Sequence, residues 1–201
     1  MAYTDFTLET IEEKFGIKNR EIRLFGAIGS IEPSAKLKDD LEEANTYPLR
    51  TEKAKSELLV MPVLKELRRI SSRYFTIYSG EVLNADAANG LNGECDFILA
   101  KDIGSYSINY PILQLVEAKK NDIDLGIPQC AAQMVGAKVF NQKKGVEPEV
   151  IYGCVTTGDE WLFMRLEKDI EIDTQTYYLN QLPEILGIFQ HIIEYYKATL
   201  K

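Results

Sequence analysis

The sequence predicts an α/β protein, a single domain over residues 1–201 with a central mixed β-sheet flanked by helices. Helical and strand patterns follow one another in the order helix, three strands, helix, two strands, helix. The three consecutive strands favour antiparallel pairing, and the helix after them suits a crossover to a parallel strand. The hydrophobic fraction of 45% and the charged fraction of 27% are typical of globular chains.

Helices are predicted where apolar residues recur at helical spacing after a residue that can cap the first turn. Thr7 begins a short helix, and Thr51 begins a longer one that has a wide apolar face and a kink at Pro62. Segment 121–124 is expected to cap the helix that carries Pro128 in its first turn. The predicted helices are 7–15, 36–44, 51–71, a helix from the 121–124 cap to about 141, and 182–197.

Strands are predicted where β-branched and aromatic residues cluster between turn residues. The predicted strands are 75–83, 94–100, 111–120, 149–156 and 161–166. An N-terminal helical extension is expected over residues 1–50 and a C-terminal helix within residues 180–201.

The charge balance is acidic, with 23 basic and 31 acidic residues and a formal net charge of −8. Because nonspecific DNA binding usually needs a basic face, we expect any nucleic-acid contact to be local and its nonspecific affinity weak. The chain has no apolar run of about 20 residues, and its first residues lack the pattern of a signal peptide. We therefore expect a cytoplasmic protein with no membrane association.

Cysteine and histidine are too scarce for several common chemistries. Cys95, Cys130 and Cys154 form no Cys-x-x-Cys pair, so neither a disulfide framework nor a zinc site is expected. His191 is the single histidine, and its surroundings are typical of an amphipathic helix rather than of a catalytic base. Any catalysis is therefore expected to depend on carboxylates and lysine.

The pattern that most favours a functional site is Leu113-Gln114-Leu115-Val116-Glu117-Ala118-Lys119-Lys120. In a strand, Glu117 and Lys119 project to one face while Val116 and Ala118 project to the other. Opposite charges within such an apolar run are costly to bury unless they are paired or bind a ligand. The alternative is an ordinary ion pair at the exposed end of a strand.

A second candidate, Asp96, starts the strand that should neighbour the one carrying Glu117. Together, Asp96 and Glu117 would supply two hard oxygen ligands for a divalent cation such as Mg²⁺ or Mn²⁺. Lys119 beside them could orient a water molecule and neutralise charge that develops on a phosphate. The alternatives are that Asp96 only caps the preceding turn, or that Glu94 takes its place.

Asp96, followed on the next strand by Glu117-Ala118-Lys119, resembles the PD-(D/E)XK nuclease superfamily, which includes restriction endonucleases and Holliday junction resolvases. The resemblance covers residues 51–166 and implies a restriction endonuclease-like core of helix, three strands, helix and strand. It also implies that Asp96 and Glu117 bind the metal, that the carbonyl of Ala118 is a further ligand and that Lys119 is catalytic. Cys95 stands where the family name has proline, at a position that varies within the superfamily.

Three more residues fit that resemblance. Many members place an acidic residue of the preceding helix beside the metal, which suggests Glu57, although Glu52 and Glu66 compete and a solvated side chain is the alternative. Some DNA-processing members have a glutamine on the helix after the active-site strand. Gln129 and Gln133 share one face of that helix. We assign Gln133 to the catalytic group and Gln129 to nucleic-acid binding, the alternative being an ordinary polar stripe.

Basic side chains cluster modestly near the ends of two helices, where they could meet phosphates or simply face solvent. Lys120, Arg69 and Lys138 are the candidates for DNA contact. The predicted function is a Mg²⁺- or Mn²⁺-dependent endodeoxyribonuclease, with a homodimer suggested by the superfamily. The alternative is a catalytically silent nuclease-fold module that binds nucleic acid or protein.

Overall fold

The computed structural model describes residues 1–200, and their centre is a mixed β-sheet. Its strand order is β1-β7-β6-β5-β4-β3-β2. The strands are β1 (Asn19–Ile22), β2 (Phe75–Val82), β3 (Glu94–Lys101), β4 (Ile112–Ala118), β5 (Ile151–Thr156), β6 (Glu160–Leu166) and β7 (Ile170–Tyr178).

Helices cover both faces of this sheet, which confirms the predicted α/β class. The helices are α1 (Leu8–Phe15), α2 (Ala35–Ala44), α3 (Glu52–Lys55), α4 (Met61–Ile70), α5 (Ile127–Lys143) and α6 (Leu182–Thr199). On one face, Ile11 of α1 and Met134 of α5 belong to the same buried cluster as Leu115 of β4. On the other face, side chains from α2, α4 and α6 pack against Phe163 and its neighbours.

The strand connections follow the predicted pattern. β2, β3 and β4 pair antiparallel in sequence order, whereas β4 and β5 are parallel neighbours joined by the crossover helix α5. As a result, β4 is a central strand whose residues are all buried. Its carboxyl end lies beside the start of β3, because these two strands run in opposite directions.

The N-terminal fifty residues are more than the helical extension that the sequence predicted. Asn19–Ile22 forms β1, an edge strand that pairs in parallel with β7. Both strands were missed because β1 is short and mostly polar, and because Glu171 in β7 breaks the expected pattern. Glu171 is buried since it pairs with Arg20 and with Arg165, whose Nε lies 2.6 Å from Oε2.

The long helix predicted from Thr51 is present, and a π-helical turn just before Pro62 interrupts it. Ala54 donates its backbone N–H to Oγ1 of Thr51 at 3.1 Å, which caps α3. Between α3 and α4, residues Ser56–Val60 form a π-helical turn, in which the N–H of Met61 bonds to the carbonyl of Ser56. A proline ring clashes with the carbonyl four residues earlier, so the wider turn relieves the strain.

The predicted cap of the crossover helix is wrong, although Pro128 lies in its first turn. Asp122 instead accepts the backbone N–H of Asp124 at 3.0 Å, in a loop that continues as a 3₁₀ turn. α5 therefore begins at Ile127, and within residues 1–200 no side chain caps it.

None of the helices formed by residues 1–200 combines the length and hydrophobicity that a membrane span requires.

Candidate metal and active site

Two carboxylates meet where β3 begins and β4 ends. Phe97 and Val116 are direct cross-strand partners, so Asp96 and Glu117 form the next pair along the same antiparallel ladder. Ala118 donates its backbone N–H to Oδ2 of Asp96 at 2.8 Å, which fixes that carboxylate against β4. The convergence expected of Asp96 and Glu117 is thus observed, and Asp96 is more than the cap of a turn.

Lys119 completes the group. Its ammonium donates to Oε1 of Glu117 at 2.5 Å and to Oε1 of Gln129 at 3.1 Å. Gln133 donates from Nε2 to the other oxygen of Glu117, Oε2, at 2.7 Å. Only 1% of the Glu117 side chain is exposed, so this carboxylate lies in a protein-lined site rather than on a solvated strand end.

Burial dominates the acid–base properties of the group. It raises the pKa of Glu117 to about 7, with repulsion from Asp96 as the second cause. Burial also raises the pKa of Asp96, against the opposing hydrogen bond from Ala118. Although burial by itself lowers the pKa of Lys119, its pairing with Glu117 leaves that pKa raised overall. The ionised form of both carboxyl groups is therefore disfavoured, whereas the lysine remains charged.

A cavity of about 330 Å³ opens onto these side chains. Its lining combines Asp96, Glu117 and Lys119 with Glu52 of α3, Glu94 and the N-terminal residues 2–4. A second cavity of about 340 Å³ shares Glu52, Glu94 and Asp96 with the first and continues along α3. Acidic side chains therefore dominate the walls, with Lys119 as the cation of the first cavity.

Glu57, predicted as a metal ligand, lies in this second cavity and not in the first. Its side chain is 64% exposed, and its nearest cation is Lys53 at 3.9 Å. Glu52, one helical turn earlier, lines both cavities and helps to raise the pKa of Lys119. The helix direction explains the difference, because α3 starts at the site and Glu57 is already a turn beyond it. Glu52 is therefore better placed than Glu57 beside the carboxylate pair.

Both glutamines contact the site. The sequence favours Gln133 over Gln129 as the glutamine of the catalytic group, because Gln129 stands close to the start of α5. Gln133 is fully buried against Glu117, while Gln129 binds Lys119 and lines the cavity. A spacing of four residues places both on the same flank of α5, as predicted.

The donor set fits a divalent cation of the Mg²⁺ type. Within residues 1–200, no three His, Cys, Asp or Glu side chains gather as a preformed metal cluster. Mg²⁺, however, typically takes one or two carboxylates and fills its remaining positions with water or substrate oxygens. Asp96 and Glu117 supply these carboxylates. Burial raises the pKa of both and Asp96 adds repulsion at Glu117, so a bound cation would offset the cost of ionising them.

The predicted DNA-contacting residues are spread over the surface. Lys120 is exposed directly after β4, next to the site. Lys138 lies on α5, where its ammonium binds the carbonyl of Glu167 at 2.8 Å. Arg69 is roughly 25 Å from Glu52 along the α3–α4 helix, at 1.5 Å per residue. Its guanidinium pairs with buried Glu66 at 2.8 Å, so the structure separates Arg69 from the carboxylate site.

Cysteine and histidine take no part in the group. Cys95, Cys130 and Cys154 are free and buried, and burial raises the pKa of each thiol, which keeps it protonated. His191 is exposed on α6 and contacts the ring of Phe25 edge-on, with centroids 6.1 Å apart.

Sequence reasoning missed Tyr3, which is buried and lines the cavity. No local pattern marks Tyr3 as part of a site, since it reaches α5 and the turn at Gly93 only through tertiary packing. A possible signal is the pair Gly93 and Gly136, whose missing side chains leave room for its ring.

Comparisons with known proteins add little to this geometry. No protein-family model and no curated protein matches the sequence significantly. Among solved structures, the type IIG restriction endonuclease BpuSI is similar, with a TM-score of 0.44 and 14% sequence identity. The match covers 69% of this chain and 16% of that one, so this chain spans about a sixth of the neighbour's length. The assignment of the fold class therefore relies on the sheet and helices of this protein itself.

Proposed function

We propose that this protein is a metal-dependent nuclease of the PD-(D/E)XK type, which hydrolyses phosphodiester bonds in DNA. One observation carries the proposal: Asp96, Glu117 and Lys119 converge at the adjoining ends of β3 and β4 and open into one cavity. An ordinary strand-end ion pair would need neither the second carboxylate nor the near-complete burial of Glu117.

Each side chain has a distinct task in this proposal. Asp96 and Glu117 would hold Mg²⁺ or Mn²⁺, with the carbonyl of Ala118 as a further ligand, and the bound ion would polarise the scissile phosphate and the attacking water. Lys119 orients that water and neutralises the charge that develops on the phosphate. Gln133 keeps the carboxylate of Glu117 in place. Glu52 of α3 is the helical acidic residue that lines the same cavity as Asp96 and Glu117.

DNA contact is expected to depend on the ion more than on the protein surface. Four acidic side chains face the first cavity, and the whole chain carries a formal net charge of −8. A phosphate would be repelled from that surface until a divalent cation offsets the charge. Lys120, Gln129 and Lys138 remain the proposed contacts to the DNA backbone, with weak affinity in the absence of metal.

A metal-dependent nicking assay tests the proposal. Purified protein is incubated with supercoiled plasmid, single-stranded DNA and branched DNA in Mg²⁺, in Mn²⁺ and in EDTA. We expect cleavage of at least one substrate with metal and none with EDTA. Asp96→Asn should abolish cleavage. Asp102→Asn, just past the opposite end of the same strand, is the matched control and should leave it intact. Cleavage that persists in EDTA or in Asp96→Asn would refute the proposal.

The second candidate function is a silent nuclease-fold module that binds nucleic acid or protein. It is favoured by one specific observation, namely that the ammonium of Lys119 is already held by Glu117 and Gln129. A wild-type protein that binds DNA and metal but cuts no substrate would support this module over the enzyme.

A further inference from the structure

The N-terminal turn around Tyr3 is built into the candidate site. Residues 2–4 line the cavity that contains Glu117 and Gln129. The backbone N–H of Tyr3 donates to the carbonyl of Asn92 at 3.0 Å, in the turn that leads to Asp96. The N-terminal segment is thus tied to the same turn that positions one of the carboxylates.

Two glycines make room for the Tyr3 ring. A side chain on Gly136 of α5 would collide with the hydroxyl end of Tyr3, and one on Gly93 would press on its ring at 3.2 Å. Gly93 also has a φ of 144°, which other residues rarely adopt. The hydroxyl of Tyr3 therefore lies against the surface of α5 beside Gly136.

Gln133 lies three residues before Gly136, so both positions are on the same flank of α5. Gln133 is fully buried, and its Nε2 donates to Glu117, an interaction that assigns its amide orientation. With the amide so oriented, the opposite atom, Oε1, needs a donor. Within residues 1–200, Oε1 of Gln133 and the hydroxyl of Tyr3 are both buried without a hydrogen-bond partner.

These two atoms are chemically complementary. A tyrosine hydroxyl donates one hydrogen bond, and an amide oxygen accepts up to two. Burying either atom without a partner is costly, which makes a connection between them favourable. Among residues 1–200 neither atom has a direct hydrogen-bond partner. One bridging water molecule is the simplest connection between them, because buried water usually links such otherwise unsatisfied groups.

We propose that Tyr3 is a positioning residue of the candidate site, whose hydroxyl donates through one bound water to Oε1 of Gln133. This bond locks the Gln133 amide so that Nε2 faces Glu117, and it extends the network from Lys119 to the N-terminal turn. Its consequence for metal binding rests on the proposed function, whereas the hydrogen-bond link itself does not.

The link is tested first in metal-free protein by nuclear magnetic resonance. Tyr3→Phe removes only the hydroxyl, so we expect the side-chain amide resonances of Gln133 to shift while backbone resonances far from the site stay in place. Tyr74→Phe is the matched control, because Tyr74 also has a buried hydroxyl without a partner among residues 1–200 but packs in the core on the opposite face of the sheet. That variant should leave the amide of Gln133 unchanged.

A double-mutant cycle with Tyr3→Phe and Gln133→Met measures the same link in urea unfolding. We expect Tyr3→Phe to lower the ratio of folded to unfolded protein about fivefold in the wild-type background and hardly at all beside Gln133→Met. Equal effects in both backgrounds, or an unmoved Gln133 amide resonance in Tyr3→Phe, would overturn the inference.

Metal affinity separates this inference from the nuclease proposal. Loss of the hydroxyl should weaken Mn²⁺ binding about tenfold in calorimetry, the scale for partners that orient metal ligands. Coupling between Tyr3 and Gln133 in a protein that never cuts DNA would support the link and count against the nuclease. Cleavage without such coupling would support the nuclease and reject the link.

Discussion

The buried carboxyl group of Glu117 leads to a quantitative prediction for stability against pH. Its pKa is raised from 4.5 to about 7 by burial, followed by repulsion from Asp96. A carboxyl group with a raised pKa stabilises the folded state most at low pH, where it is neutral in both states. That contribution is lost as the pH rises from about 4.5 through 7. At about 1.36 kcal/mol for each pH unit, the loss amounts to about 3 kcal/mol.

Glu117→Gln keeps the shape of the side chain and removes its titration. The difference in unfolding free energy between this variant and the wild type should therefore rise by about 2.5 kcal/mol from pH 5 to pH 8, in favour of the variant. The measurement is urea unfolding followed by circular dichroism, in EDTA so that no metal offsets the charge.

Glu66 supplies a control of opposite sign. The hydrogen bonds from Arg69 hold the pKa of Glu66 below its usual range, although burial opposes them. Its stabilising contribution is present above the unfolded pKa and is lost as the pH falls, so Glu66→Gln should be least stable relative to wild type at pH 8. If the unfolding free energies of wild type and Glu117→Gln change with pH in parallel, the raised pKa of Glu117 is refuted and, with it, the argument for a cation site.

Three further predictions concern the same site. Lys119→Ala should slow DNA cleavage about a hundredfold or more and leave calorimetric Mn²⁺ binding largely intact, because its charge matters most in the transition state. Lys120→Ala, exposed just beyond the strand, should keep most activity, and equal losses would contradict the assignment. The melting temperature should rise with Mn²⁺ in wild type and much less in Glu117→Ala, since the ion offsets carboxylate repulsion. Equal rises in scanning calorimetry would place the ion elsewhere. Gly126→Ala would press a methyl group against Val155 and the stem of Lys119, so urea unfolding should show a loss of about 1–3 kcal/mol. Unchanged stability would contradict that packing.

Much of the site was predictable because it depends on local periodicity. In a strand, alternate side chains share a face, so Glu117 and Lys119 had to lie together once residues 112–118 formed β4. The antiparallel pairing of consecutive strands then brought Asp96 opposite Glu117. The spacing of four between Gln129 and Gln133 likewise placed both on one flank of α5.

Other features depend on contacts between distant segments. The edge strand β1 has little apolar character, and Glu171 in β7 is buried only because arginines from β1 and β6 neutralise it. The choice of Glu52 over Glu57 depended on where α3 begins relative to the sheet. Neither the composition nor the spacing of these residues carries that information.

The periods of strands and helices were enough to predict the α/β class and the face that Glu117 and Lys119 share. The depth at which Glu117 is buried depends on long-range packing, because α5 covers the strand with Gln133. Only the tertiary structure brought Tyr3 to the same site, by packing it between Gly93 and Gly136. Periodicity specifies which face a side chain occupies. The neighbours that cover that face come from remote parts of the chain, and they set the dielectric environment and the pKa of the carboxylate.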